Sequence, residues 1–130
     1  MVVIKPPTVG GEAGTEVIYN CASGIKKGDV VYISGIDTVD LADNNNLTTV
    51  PCIGMVESKP SATTCKVKNS GEIEGLAFSI TPGQKYYLGT AGGVTTTPPT
   101  ASNTIVQIIG VGVKTGVMLM TLSYNFVQNK

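Results

Sequence analysis

The chain has 130 residues, nine lysines against nine acidic residues, and neither arginine nor histidine. That length supports one hydrophobic core of ordinary size rather than two large domains. Without guanidinium or imidazole groups, the chain lacks the arginine-forked face of a nucleic-acid binder, the commonest zinc ligand and the usual general base of serine and cysteine hydrolases.

Val, Ile and Thr make up about a third of the sequence and Leu is sparse. Branching at Cβ suits a pleated surface better than a helix, and 16 glycines and seven prolines spread along the chain supply the turns of many short strands. The expected class is all-β: a compact antiparallel barrel or sandwich of two related halves, preceded by an extended N-terminal arm.

The arm is residues 1–15. Val2, Val3 and Ile4 form an apolar tip, and Pro6, Pro7, Gly10, Gly11 and Gly14 resist both a helix and a central strand. Val2, Val3, Ile4, Pro6 and Pro7 are the expected partner-binding residues, the tip docking on a neighbouring subunit. Lys5 interrupts the apolar start too early for a signal peptide, and no run reaches a membrane-spanning length. Synthesis in the cytoplasm with no membrane partner is expected.

Residues 16–130 are read as a single barrel-like domain, with strands expected at 16–21, 29–34, 51–57, 64–68, 71–80, 85–89, 104–113 and 117–124. Within it, residues of about 25–68 and 80–122 resemble one another. Gly28 and Tyr32 recur as Gly83 and Tyr87, and Ile53-Gly54 recurs as Ile109-Gly110. Two copies are too few for a solenoid, so they are read as halves of one body. Two long loops, 36–50 and 91–103, are where contacts with a partner are expected. A hairpin about Asn69-Ser70-Gly71 would set Lys66 and Lys68 against Glu72 and Glu74. Gly110 and Gly112 predict a bulge or a close backbone approach.

Each candidate for chemistry has a plainer role. Cys21, Cys52 and Cys65 lack C-x-x-C spacing and are read as buried, reduced, small apolar residues; a bridge from Cys52 to Cys65 stays open as the alternative. Glu72 and Glu74 would share a strand face about 7 Å apart, but glycosidases set their acids across a cleft, so a solvated face is expected. Asp37, Asp40, Asp43 and Asn44 to Asn46 are oxygen-rich, yet Leu41, Ala42 and Leu47 break the register of a calcium loop. Gly92-Gly93 follows no phosphate-binding spacing. Tyr32, Tyr86 and Tyr87 are expected to pack at the core margin. No catalytic residue, metal site or cofactor is expected.

Residues 81–89 (Thr-Pro-Gly-Gln-Lys-Tyr-Tyr-Leu-Gly), followed by 92–99 and 106–113, resemble a segment recurring in virion proteins of tailed phages. Those proteins include small capsid decoration (cement) proteins and domains of head or tail fibres. Residues 25–33 with 53–56 are similar to the opening of the same kind of domain, so the likeness spans roughly 17–122. It implies a non-enzymatic, barrel-like structural protein that self-associates, often as a homotrimer, and binds the major capsid protein on the outer surface of the virion. A fibre domain recognising a host receptor is the alternative it leaves. The short chain favours decoration, with the aliphatic arm as a staple between neighbours.

Overall fold

The computed structural model describes residues 16–130, and the fold is all-β. Twelve strands are present among them: β1 Glu16–Asn20, β2 Val30–Gly35, β3 Thr38–Leu41, β4 Gly54–Ser61, β5 Thr64–Lys68, β6 Gly71–Ile73, β7 Lys85–Leu88, β8 Val94–Thr95, β9 Ile105–Val106, β10 Ile108–Lys114, β11 Val117–Met120 and β12 Val127–Gln128. A single 3-10 turn, Leu47–Thr49, interrupts them. The first five strands close into a barrel in the order β1-β3-β2-β4-β5. The next form a five-stranded sheet, β6-β11-β10-β7-β8, and β9 pairs with β12.

The two five-stranded units repeat one pattern. Reading outward from its first strand, each has the order first, fifth, fourth, second, third. The register repeats as well. Tyr32↔Asp40 and Ile33↔Val39 become Tyr87↔Thr95 and Leu88↔Val94, every residue advanced by 55. Val31↔Gly54 becomes Tyr86↔Gly110, and Val17↔Val67 becomes Ile73↔Met118. Even the entry turns match: Asp29 N–H donates to Lys26 O at 3.1 Å, and Gln84 N–H donates to Thr81 O at 3.1 Å. Gly28 and Gly83 take φ of +92° and +80° there, a region open to glycine at no steric cost.

Strand alternation gives each unit its own inside. In the barrel Val31, Val39, Val56, Cys65 and Val67 gather with Cys21 and Ile25. A larger cluster unites Ile73, Leu76, Tyr86, Leu88, Ile109 and Met118 of the second unit with Val30, Cys52 and Met55 of the first. Val30 and Val31, or Met55 and Val56, thus serve different cores from opposite faces of one strand. Two buried amides join the halves as well. Gln107 accepts from Cys52 N–H at 2.8 Å and donates to Cys52 O at 2.9 Å and Ser123 O at 2.7 Å. Asn44 donates to Leu88 O at 3.0 Å, while its backbone bonds Gly89 O and Ile105 N–H.

Several expectations are corrected. Strand β6 ends at Ile73 and residues 74–80 are irregular, because Gly75 has φ +72° and Leu76 N–H leaves the ladder for Gly116 O. The last long strand stops at Met120, not at 124. Loop 36–50 contains β3 and the 3-10 turn, and loop 91–103 contains β8. The hairpin about Asn69-Ser70-Gly71 does not form: β5 pairs with β1 and β4, whereas β6 pairs with β11. Lys68 instead lies 3.8 Å from Glu57. At Gly110 the ladder to β7 slips register, and a Cβ there would stand 2.5 Å from Leu119 O, so the expected bulge and close approach both occur.

Candidate functional site

The residues singled out for chemistry disperse. Glu72 is exposed on β6 and Glu74 lies beyond the strand, also exposed. The oxygen-rich loop spends its side chains on its own backbone: Asp43 accepts from Asn45 N–H at 2.8 Å, and Asn46 accepts from Thr48 N–H at 3.0 Å as the cap of the 3-10 turn. Among the described residues no group of three Asp, Glu or Cys side chains is placed to hold a metal ion. Tyr86 is buried, its hydroxyl accepting from Thr81 N–H at 2.9 Å and donating to Ser79 O at 3.4 Å, and Tyr32 packs against the larger core. No described helix is long and apolar enough to cross a membrane. The arm residues Val2, Val3, Ile4, Pro6 and Pro7 lie outside the described residues.

The cysteines depart from the reading of three reduced thiols. Cys21 and Cys65 form a disulfide with Cα atoms 6.1 Å apart, and Cys52 alone is free. The register produces the pair: β1 runs antiparallel to β5 with Asn20 opposite Thr64, so Cys21, one residue past the strand, lies diagonally across from Cys65. Lys59 closes that corner. Its ammonium donates to Ala22 O at 2.9 Å and Ala62 O at 3.1 Å and sits 3.5 Å from Cys21 Sγ. Burial pushes the Cys52 thiol up to about 12, because a thiolate there would lose its water. It is an inert core residue at neutral pH.

A difference between the two units creates the most distinctive surface feature. In the first, β3 reaches β1, and Asn20 N–H donates to Asp37 O at 2.8 Å. That bond shuts the barrel. The corresponding residues of the second unit are Leu76 and Gly92. Here Leu76 N–H donates to Gly116 O, and Gly92 O accepts from Val30 N–H of the first unit at 2.9 Å. Gly92 N–H in turn donates to Ala42 O at 2.7 Å. The first unit has taken the place of the closing strand, so the second sheet stays open between β6 and β8.

A groove of about 720 Å³ occupies the gap. Ala77, Phe78 and Ser79 line one side, Gly92 to Thr96 the other, Tyr86 also contributes, and the turn Lys26 to Asp29 forms its rim. Asp29 fixes that rim by accepting from Lys26 N–H at 2.9 Å and pairing with its ammonium at 3.1 Å. The Lys26 side chain is 78% exposed, so the ion pair adds little stability. The backbone bond defines the turn. A sequence reading could not find this groove, since repeat similarity gives no sign of which copy closes.

No protein-family model, curated protein or solved structure matches this chain.

Proposed function

We propose that this chain is a structural virion protein that binds the outer surface of a phage capsid, through the major capsid protein, and stabilises the shell. The observation that carries the reading is how the buried polar side chains are used. Gln107, Asn44, Asp29 and Thr104 each bond backbone atoms of the chain itself. Groups that an enzyme would aim into a cleft are spent here on the fold: Asn44 and Gln107 fix the two β units to each other, and Asp29 and Thr104 fix local turns. The likeness of residues 17–122 to virion β-domains supplies the particle, and the disulfide and shared core suit a part that must resist force.

The arm is the device for attachment between neighbours. An apolar tip laid across an adjacent subunit gains about 25 cal/mol per Å² of apolar area removed from water. Self-association as a homotrimer would multiply a modest contact by avidity.

The test is co-sedimentation of the full chain, and of a chain lacking residues 1–15, with undecorated heads of the parent phage. Saturable binding of the full chain to the shell, greatly weakened by the deletion, is expected. Equal binding of both would sink the role of the arm. Binding of neither, with adsorption to host cells altered by changes at Asp43 to Asn46 or Thr95 to Pro99, would favour a fibre domain.

A further inference from the structure

We propose that Cys21 is a thiol–disulfide exchange site: a low-molecular-weight disulfide closes the Cys21–Cys65 bridge through its sulfur, a small thiol reopens it there, and Lys59 is its positioning residue. The state of the bridge then decides whether the barrel seam is locked.

Bridge and seam are adjacent. Asn20 N–H shuts the barrel on Asp37 O, and the next residue, Cys21, donates its own N–H to Thr63 O at 2.9 Å. Strand β1 meets β3 through the single pair Asn20↔Thr38. A covalent tie from Cys21 to Cys65 on β5 holds the end of β1 at that thinly bonded place.

The two sulfurs are not equivalent. Cys65 is wholly buried, whereas Cys21 keeps 7% of its surface. Exposed residues flank it, Ala22 and Ser23 in the chain and Ala62 and Thr63 alongside. A reagent from solution therefore meets Cys21 first.

Lys59 supplies a fixed charge. Its ammonium has three donors: two go to Ala22 O at 2.9 Å and Ala62 O at 3.1 Å, and Cys21 Sγ lies 3.5 Å away. Because backbone carbonyls anchor it, the positive charge keeps its place when the sulfur changes partner. A cation beside a cysteine favours the thiolate, the form that attacks a disulfide. The core beneath the bridge is apolar: Ile25, Val31, Val39, Val56 and Val67. Tyr19 stands opposite Cys65, and burial, then Tyr124 and Asp37, hold its phenol above the ordinary range, so it stays uncharged near neutrality. Lys66 follows Cys65 and by alternation points to the other face of β5, while Glu57, on the same strand as Lys59, lies 3.8 Å from Lys68.

Closing takes two displacements. The Cys21 thiolate attacks one sulfur of the external disulfide, forming a mixed disulfide as the first small thiolate leaves. Cys65 then gives its proton to solvent and attacks Cys21 Sγ, which forms the bridge and expels the second thiolate. The protein loses two electrons and the external disulfide gains them. Opening is the reverse, with a small thiolate attacking Cys21 Sγ and Cys65 leaving. A chain made where thiols are kept reduced would carry the seam unlocked and lock it on meeting an oxidising medium.

The test uses the full chain, reduced and shown to be folded by a far-ultraviolet spectrum equal to that of the oxidised form. Alkylation by iodoacetamide from pH 5.5 to 9.5 is read at each cysteine by peptide mass spectrometry. Cys21 should react at least about tenfold faster than Cys65, with buried Cys52 unreactive. In Lys59→Met the pH of half-maximal alkylation at Cys21 should rise by about 1, and Lys59→Arg, which keeps the charge, should stay near the native value. Lowering a thiol pKa from about 8.5 to about 7.5 raises its thiolate fraction at pH 7 about eightfold and cuts its nucleophilicity about threefold. Bridge closure by oxidised glutathione at pH 7 should accordingly be about threefold slower in Lys59→Met. Equal alkylation of Cys21 and Cys65, a midpoint that Lys59→Met leaves unmoved, or a Lys59→Arg chain that behaves like Lys59→Met would overturn the proposal. Should the reduced chain lose its fold, the oxidised chain answers the same question. Brief exposure to reduced glutathione, quenched with N-ethylmaleimide, should place the glutathione on Cys21 and the maleimide on Cys65, and Lys59→Met should slow opening by a similar factor. Glutathione on Cys65, or an unchanged opening rate, would overturn it equally.

Discussion

Removing the Cys21–Cys65 bridge should cost this fold a large share of its stability. The bridge closes a loop of sequence separation 44. In the chain-entropy treatment, a loop of that length restricts the unfolded state by about 13 cal/mol/K, or about 4 kcal/mol at 25 °C. Single domains are stable by only about 5–15 kcal/mol. The bridge also sits beside the barrel seam, where Asn20 alone pairs with Thr38, so its loss acts where the closed sheet has least backbone support. Urea unfolding of the native protein and of Cys21→Ala/Cys65→Ala should show a fall of about 4 kcal/mol. A larger m-value should accompany it, since an uncrosslinked chain exposes more surface on unfolding. A loss below about 1 kcal/mol with an unchanged m-value would refute the reasoning, because the bridge would then restrict neither the unfolded chain nor the seam.

Other outcomes follow from the same geometry. Gln107→Leu leaves Cys52 N–H and C=O without their partner inside the interface between halves and should cost about 2–4 kcal/mol in the same assay. Gly92→Ala combines φ +82° with a Cβ placed 2.6 Å from Leu41 Cδ2, and should destabilise by about 1–3 kcal/mol; Gly83→Ala, with open space around its Cβ, should cost only the backbone strain. The Cys52 thiol ionises near pH 12 in the folded state and near about 8.5 in an unfolded chain. The unfolded state therefore releases its proton first: the stability linked to this group is intact below pH 8.5 and is lost as the pH climbs toward 12, by up to about 1.4 kcal/mol per unit. Urea titrations at pH 8 and pH 10.5 should show Cys52→Ala losing less stability than the native protein between those values; equal losses would contradict the assignment.

The sequence carried the central strands of both units plainly. Gly-x-x-x-Tyr and the Ile-Gly pairs mark the turn into β2 and β7 and the start of β4 and β10, where close approach excludes a side chain. Their spacing anticipated the repeated register. Strand β3 was hidden because Thr38 to Leu41 is four residues long and flanked by Asp and Asn, so its alternation was too brief to read. Leu76 and Ile80 misled in the opposite way: both are buried, but through an irregular segment folded over the core. The disulfide depended on the register between β1 and β5, which are separated by three other strands in the chain and share no local signal. Gln107 and Asn44 looked like ordinary polar residues, since their burial arises only when one unit docks on the other. The groove was unreadable for the same reason, as it exists because Val30 and Ala42 take the bonds that would have closed the second barrel.

The most direct measurement of the central claim is an electron cryo-microscopy map of the intact particle at a resolution that traces side chains. This chain is expected on the outer capsid surface, in many copies following the lattice, in contact with the major capsid protein. Density for it confined to a tail or head fibre, or absent from the particle, would contradict a capsid-stabilising role.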